Sequence, residues 1–253
     1  MNSIKILPLQ NFPIIEPNDN LEDIIKNSIS SNNIKIDDND IIVVAQKIIS
    51  KSENRYVDLD TIKVSEEAEN LALKLNKNKG LIQAIINESN KIISTKKNVV
   101  IVEHKLGFIN INAGIDQSNI NQNKNTALLL PEDPTKSAID LHQKLSSSFN
   151  KEISIIISDS MTRPFRSGVT NFALASHNIQ SLIDLKGKDD MFGNKLKGTE
   201  IAVADELASA AGILMGQSDE GIPVVIIKGF NKSSYEVNNA FDLIVNEKDD
   251  LYR

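Results

Sequence analysis

The sequence contains four segments whose polar side chains could do chemistry, and the most informative of them is residues 158–168. There Asp159 and Ser160 directly follow an apolar run, and Arg163 and Arg166 come shortly after them. A carboxylate at the carboxyl end of a buried strand is well placed to bind a metal, and arginine binds phosphates or carboxylates through paired hydrogen bonds. The simpler alternative is a surface loop in which Asp159 pairs with Arg163.

The other three segments also place charged groups next to apolar strands or at the start of a helix. Gly114 permits a sharp turn after a strand, and Asp116 then supplies a second carboxylate. Glu200 begins a helical pattern, and free amides at a helix N-terminus suit phosphate oxygens. Lys47 and Lys51 follow another apolar strand and could bind phosphates as point charges. Each segment has a structural alternative: a turn without a ligand, an acid that complements the helix dipole, or a solvated turn.

Together these groups predict phosphoryl chemistry assisted by a divalent cation. Carboxylate oxygens suit Mg²⁺ or Mn²⁺, and such an ion neutralises phosphate charge. The chain has no cysteine, which excludes thiolate nucleophiles, disulfides, iron–sulfur clusters and zinc–thiolate sites. With only three histidines, it also argues against a histidine-rich zinc site. Neither Gly-x-x-x-x-Gly-Lys-Ser/Thr nor Gly-x-Gly-x-x-Gly occurs, so a nucleotide must bind to another scaffold.

Charge and hydropathy narrow the class of protein further. The formal net charge of −6 argues against a protein that wraps nucleic acid. The longest mainly apolar runs, 153–157 and 222–227, are far shorter than the ~20 residues that a membrane helix needs. Residues 1–11 lack the pattern of a signal peptide. We therefore expect a cytoplasmic protein without nucleic-acid or membrane partners.

The elements that must position these groups can be predicted from local patterns. Strands are expected where short β-branched runs end in turn residues, and helices where apolar residues recur at helical spacing after an N-cap. The predicted strands are residues 4–9, 41–45, 99–102, 108–111, 127–130, 153–157 and 224–227. Helices are predicted from residue 21, at 66–75, 81–93, 134–149 and 200–215, and a loop at 158–168. Because the two kinds of element alternate irregularly, we predict a mixed α/β (α+β) fold with mixed sheets and packed helices.

The order of the motifs resembles that of the coenzyme F-420:L-glutamate ligase family, the gamma-glutamyl ligases of the deazaflavin cofactor. The matching motifs are Asn-Ala-Gly-Ile-Asp-x-Ser-Asn at 112–119, Asp-Ser-x-x-Arg-Pro-x-Arg at 159–166 and Ala-Val-Ala-Asp-Glu-Leu at 202–207. Matching segments continue in family order from residue 8 to about residue 230, so the resemblance covers nearly the whole chain.

The resemblance implies a GTP-dependent ligase that joins L-glutamate to the F-420 precursor by an amide bond and adds further glutamates through γ-links. GTP would phosphorylate the acceptor carboxylate, and the glutamate amine would displace phosphate from the acyl phosphate. The family pattern implies two divalent ions, Mg²⁺ or Mn²⁺, allows K⁺ in addition, and implies a homodimer. It further implies one two-lobed unit over residues 1–253, with a single active site shared by the lobes and no fused nitroreductase domain.

The family motifs can be carried over residue by residue. The implied metal ligands are Asp116, Asp159, Ser160 and Glu200. The implied GTP contacts are Asn11, Phe12, Pro13, Ile14, Gln46, Lys47, Lys51, Asn119, Gly198, Thr199, Ile201, Ala202, Val203, Ala204 and Asp205. Catalysis is assigned to Asp159, Arg163 and Arg166.

The chain departs from the family pattern in a few places. Residues 169–178 lack the usual glycine-rich stretch: Ala175 and Asn178 replace glycines and His177 replaces an alanine. Gln46 stands where a small hydroxyl residue is common, and Asn11 replaces a frequent glycine. These differences leave open the acceptor, the number of glutamates added and the role of His177. One alternative is a ligase that acts on another cofactor-like carboxylate, and another is a nucleotide- or metal-binding homologue without ligase activity.

Overall fold

The computed structural model describes residues 3–96, 98–120, 125–231 and 236–251. In chain order its strands are β1 (Lys5–Pro8), β2 (Ile41–Ala45), β3 (Tyr56–Asp58), β4 (Ser89–Lys96), β5 (Val99–His104), β6 (Ile109–Ile111), β7 (Thr126–Leu128), β8 (Ser154–Arg163), β9 (Arg166–His177), β10 (Ile183–Asp184), β11 (Glu200–Ile201) and β12 (Val224–Lys228). Its helices are α1 (Leu21–Ser31), α2 (Gln46–Ser52), α3 (Glu66–Leu75), α4 (Lys79–Asn87), α5 (Pro134–Phe149) and α6 (Val203–Met215).

A five-stranded sheet in the order β1-β12-β2-β8-β9 forms the centre of the molecule. The neighbours β2 and β8 are parallel, with Ala45 opposite Ser158, and the other three pairs are antiparallel. Apolar side chains of α1, α2 and α5 pack on one face, and those of α6 pack on the other. Because both faces are covered, β2, β8 and β12 carry nearly continuous Ile and Val runs instead of alternating polar residues.

A third apolar cluster lies apart from this sheet. It joins α3 and α4 to the three-stranded antiparallel sheet β4-β5-β6 and to the pair β3-β7. Side chains cap the helices as their sequences predict: Asn20, Ser65 and Asp133 each accept a hydrogen bond from a backbone N–H in the first turn. The predicted mixed α/β class is confirmed, whereas the two-lobed unit over residues 1–253 stays a prediction. No helix in the described part of the chain is both long and apolar enough to cross a membrane.

The helix predicted at residues 81–93 is partly wrong. Helix α4 ends at Asn87, and Ile92 and Ile93 belong to β4, which pairs antiparallel with β5. The apolar residues after Asn87 are β-branched, and such side chains pack well on a sheet. Pairing with β5 therefore outweighs the helical spacing.

Two predictions at the functional segments are also wrong. Residues 158–168 are not a loop, because β8 continues to Arg163 and pairs with β9 along its length, with a bulge after Ile157. The last helix begins at Val203 instead of Glu200. Glu200 lies in the short strand β11, opposite Asp184 of β10.

Candidate functional site

A cavity of about 760 Å³ lies at the end of the central sheet where strand β2 finishes and helix α2 begins. Six parts of the chain contribute to its lining: residues 12–15, 45–48 with Lys51, Asp116 with 118–119, 158–160, Asn171, and 215–223. It collects ten of the predicted site residues, which are Phe12, Pro13, Ile14, Gln46, Lys47, Lys51, Asp116, Asn119, Asp159 and Ser160. The parallel pairing of β2 with β8 places the start of α2 beside Asp159, and contacts from Gln46 and Lys47 place Asp116 next to the same helix.

The side-chain amide of Gln46 connects the two aspartates. Its Nε2 donates to Oδ2 of Asp116 over 3.3 Å, and its interaction with Asp159 lowers the pKa of that carboxyl against the larger effect of burial. Ser50 orients this amide, because its hydroxyl donates to Oε1 of Gln46 over 2.9 Å. The backbone N–H of Ser160 donates to Oδ1 of Asp159 over 2.8 Å. In the described part of the chain no ion pair joins Asp159 to Arg163, whose Nε is buried without a hydrogen-bond partner.

The electrostatics of this pair favour a bound proton or cation. Burial, and then the negative charge of Asp116, raise the pKa of Asp159 to about 7. Burial also raises the pKa of Asp116, although the charge of Lys47 opposes this effect. Two close carboxylates repel one another when both are ionised, and a cation between them removes that cost.

Two lysines of α2 face the same cavity. Nζ of Lys47 lies 3.4 Å from Oδ2 of Asp116 and donates to the backbone carbonyl of Ser118 over 3.4 Å. Lys51 is buried, and burial together with the charge of Lys47 lowers its pKa. Ammonium groups next to a carboxylate pair can receive phosphate oxygens while the carboxylates hold a cation.

The α6–β12 loop, residues 216–223, forms a wall of the cavity that sequence reasoning missed. Gly216 follows the last residue of α6. Its φ of 69° suits glycine, and a Cβ there would meet the Glu220 carboxylate. Nδ2 of Asn119 donates to the carbonyl of Ser218 over 2.8 Å and ties this loop to the Asp116 segment. The run Gly216-Gln217-Ser218-Asp219-Glu220-Gly221 is rich in polar and glycine residues directly after a helix, a signal that could have identified it.

The remaining predicted site residues do not line this cavity. They are Asn11, Arg163, Arg166, Gly198, Thr199, Glu200, Ile201, Ala202, Val203, Ala204 and Asp205. Oε1 of Glu200 instead pairs with Nζ of Lys186 over 2.9 Å. Val203 and Ala204 are buried in the core, and Asp205 accepts a hydrogen bond from the backbone N–H of Ala173. Arg163 and Arg166 face each other near the end of the β8–β9 hairpin.

The donor set fits one divalent cation held by oxygen. Asp116, Asp159 and Ser160 supply two carboxylates and a hydroxyl, the hard ligands that Mg²⁺ and Mn²⁺ take. Among the described residues, no three histidine, aspartate or glutamate side chains come together as a metal site. An ion here must therefore complete its coordination with water, substrate or amide oxygens. The ligand role of Glu200 stays a prediction.

Of the residues that depart from the family pattern, Gln46 lines the cavity and the others do not. Ala175 is buried in β9, and His177 packs edge-on against His142 with 4.5 Å between the ring centroids. Asn178 donates to the backbone carbonyl of Ile153 over 2.7 Å. None of these three residues lines the cavity, so their differences do not change its surface.

Comparison with known proteins gives one consistent result. A family model described as F420-0:Gamma-glutamyl ligase matches residues 10–229. The chain is 43% identical over 218 residues to the coenzyme F420:L-glutamate ligase of Methanocaldococcus jannaschii, covering 86% of each chain. The relative of the same name from Methanothermobacter thermautotrophicus is 37% identical over 227 residues, covering 90% of this chain and 89% of the relative. The relative from Archaeoglobus fulgidus is 33% identical over 228 residues, covering 90% and 88%. Every segment that lines the cavity falls inside the matched range.

Proposed function

The chain belongs to the F420-0:gamma-glutamyl ligase family, and from this premise we propose that it is a GTP-dependent ligase that joins L-glutamate to the coenzyme F420 precursor. One observation carries the proposal: the paired carboxylates Asp116 and Asp159 face the same cavity as Lys47 and Lys51. A cation site next to two ammonium groups is what the transfer of a phosphoryl group from a nucleotide requires.

The proposed reaction has two steps. In the first, the acceptor carboxylate attacks the γ-phosphorus of GTP, the bond to the β-phosphate oxygen breaks, and an acyl phosphate and GDP form. In the second, the amine of L-glutamate attacks the acyl carbon, a C–N bond forms, and phosphate and a proton leave. The energy of GTP is thereby used to convert a carboxylate, a poor electrophile, into a reactive one.

The residues of the cavity have distinct parts in this proposal. Lys47 and Lys51 bind phosphate oxygens, and Gln46 holds Asp116 and Asp159 in place. When bound, Mg²⁺ or Mn²⁺ at the two aspartates and Ser160 neutralises charge on the γ-phosphate. The second ion, K⁺ and the contributions of Glu200, Arg163 and Arg166 stay predictions.

The experiment that tests the proposal is incubation of the protein with GTP, Mn²⁺, L-glutamate and the F420 precursor, followed by mass spectrometry. We expect a product heavier by one or more glutamyl residues, with one GDP and one phosphate for each. With ¹⁸O in the acceptor carboxylate, one labelled oxygen should appear in the released phosphate. Phosphate without the label would contradict the acyl-phosphate step, and absence of a glutamyl product would contradict the ligase proposal.

Asp159→Asn is the variant expected to be inactive, and Asp140→Asn, on the exposed face of α5, is its matched control. The first substitution removes one charge from the proposed cation site and should abolish turnover while leaving the unfolding transition in place. The second should retain normal turnover. Normal GTP turnover in Asp159→Asn would show that the metal assignment is wrong.

We further propose that two copies of the chain associate. Large apolar side chains are almost fully exposed in two connections between strands, Phe165 at 96%, Met191 at 96% and Phe192 at 87%. Phe165 lies at the turn of the β8–β9 hairpin, and the other two lie in the connection between β10 and β11. Apolar surface of this kind is typical of an interaction site. A homodimer would bury it by a contact between identical surfaces.

A further inference from the structure

We propose that Asn171 is a positioning residue that holds the α6–β12 loop against β8 by orienting the side-chain amide of Gln217. Asn171 is buried in β9, opposite Ser160 of β8, and its side chain reaches the cavity wall. The part of this proposal that concerns GTP rests on the proposed function, whereas the anchoring of the loop does not.

The Asn171 amide connects two walls of the cavity. Its Nδ2 donates to Oγ of Ser158 over 3.0 Å, on the strand that carries Asp159. Its Oδ1 accepts from Nε2 of Gln217 over 3.0 Å, on the α6–β12 loop. A single planar group therefore fixes the distance between the carboxylate strand and this loop.

Helix α6 is shaped to receive this amide. A Cβ at Gly212 would lie 2.6 Å from both Cγ and Oδ1 of Asn171, so the close approach requires glycine. Oγ of Ser209 donates to the backbone carbonyl of Asn171 over 2.7 Å and holds the strand at this point. Asn171 is thus in contact with the strand, the helix and the loop at once.

This arrangement orients the side chain of Gln217, which is exposed and lines the cavity. Because one N–H of its Nε2 donates to Asn171, the amide is oriented, and its Oε1 and second N–H can serve a bound molecule. Without Asn171, the Gln217 amide would rotate freely. Of the two side-chain connections described here, the loop would keep only the bond from Asn119 to the carbonyl of Ser218.

The test combines loop dynamics with kinetics on Asn171→Ala. Hydrogen–deuterium exchange of the substrate-free protein should show residues 216–221 exchanging about tenfold faster, the effect of losing one buried hydrogen bond. The KM for GTP should rise about tenfold while kcat changes less than about twofold. Unchanged exchange in this loop would overturn the proposal whether or not the protein is a ligase. Faster exchange with an unchanged KM would overturn the assigned effect on GTP.

A double-mutant cycle separates positioning from general destabilisation. If Asn171 acts through Gln217, Asn171→Ala should change the KM for GTP less than about twofold in a Gln217→Ala background. Independent effects of the two substitutions would overturn the proposal.

Gly212→Ala provides a second route to the same effect, because the new methyl group displaces the Asn171 amide without replacing a cavity residue. It should loosen the loop as Asn171→Ala does, and a loop that exchanges normally would contradict the proposal. Thr170→Val is the control: it removes a 2.9 Å hydrogen bond to Ser209, next to Asn171 but unconnected with Gln217. Faster loop exchange in this control would count against a specific role for Asn171.

Discussion

At the scale of single residues, His104 predicts how stability depends on pH. Its side chain is buried, and its Nδ1 accepts from the backbone N–H of Leu106. Its Nε2 has no hydrogen-bond partner and lies 3.9 Å from Oε2 of Glu88, too far to offset the cost of burying a charge. Burial, and then the charges of Lys105 and Arg55, lower the pKa of His104 from 6.5 to about 4. The unfolded chain therefore binds a proton at this site at a higher pH than the folded chain does.

Proton linkage gives the direction in which the free energy of unfolding changes with pH. Between pH 6.5 and about 4 the unfolded state holds more protons at this histidine, so the free energy of unfolding falls as the pH is lowered. The free energy of unfolding falls by about 3 kcal/mol over this pH range, and above it this histidine no longer changes the stability with pH. In His104→Asn, Oδ1 can replace Nδ1 as the acceptor and nothing titrates. Denaturant unfolding at pH 7 and pH 4.5 should show a smaller difference for the variant than for the unaltered protein, and equal differences would contradict the prediction.

Of the charged residues predicted from the sequence, some line one cavity, whereas Arg163, Arg166 and Glu200 lie outside it. The sequence did not predict how the side chains inside the cavity are oriented. Asp116 and Asp159 could be predicted to act together because each follows an apolar strand, and Lys47 and Lys51 because they follow another. The bridging role of Gln46 could not, since it depends on two strands bringing its amide between carboxylates that are distant in sequence. A neutral amide carries no sequence signal of its own until its partners are known.

At the scale of elements, helix α4 contains a glycine that a close tertiary contact favours. Gly80 lies in the first turn of this helix, and a Cβ there would lie 2.1 Å from the backbone carbonyl oxygen of Leu59. An alanine in a helix normally adds stability relative to glycine. Here a steric conflict with backbone opposes that gain, because the carbonyl cannot rotate away as a side chain could.

We therefore expect Gly80→Ala to lower the free energy of unfolding by about 1–3 kcal/mol, the usual cost of overpacking. Gly198→Ala is the matched control, because no atom lies within 4 Å of a Cβ there and its φ is not positive. Urea unfolding of both variants measures the difference. A Gly80→Ala protein as stable as the Gly198→Ala protein would show that the α4 contact adjusts at little cost.

The elements that sequence reasoning placed correctly are those whose signals are local. The capped helices α1, α3 and α5 begin after Asn20, Ser65 and Asp133, and buried Ile and Val runs mark the central strands. The errors at Ile93, Asp159 and Glu200 have a common cause. Each of these residues lies in a strand that pairs with a second strand, β5, β9 or β10, and that pairing overrode the pattern of the single segment.

At the scale of the whole molecule, the exposed apolar residues of two hairpins bear on the oligomeric state. Phe165 is 96% exposed with a φ of 60°, and Met191 and Phe192 are 96% and 87% exposed. Leaving three such side chains in water costs roughly 1.5–3 kcal/mol each relative to burial. Several of the residues predicted for the site but outside the cavity, including Arg166 and Glu200, lie on the same hairpins. Association through these hairpins would therefore place them at a contact between copies.

The proposed homodimer predicts a mass of about 56 kDa by light scattering, twice the 27.9 kDa of one chain. Replacing Phe165, Met191 and Phe192 together by serine should weaken the dimer and shift the mass towards one chain at micromolar concentration, because the apolar surface that drives association is removed. Leu73→Ser is the control, since Leu73 is 82% exposed on α3, away from both hairpins. A triple variant that stays dimeric would place the interface on another surface. An unaltered protein with the mass of a single chain would contradict the dimer itself.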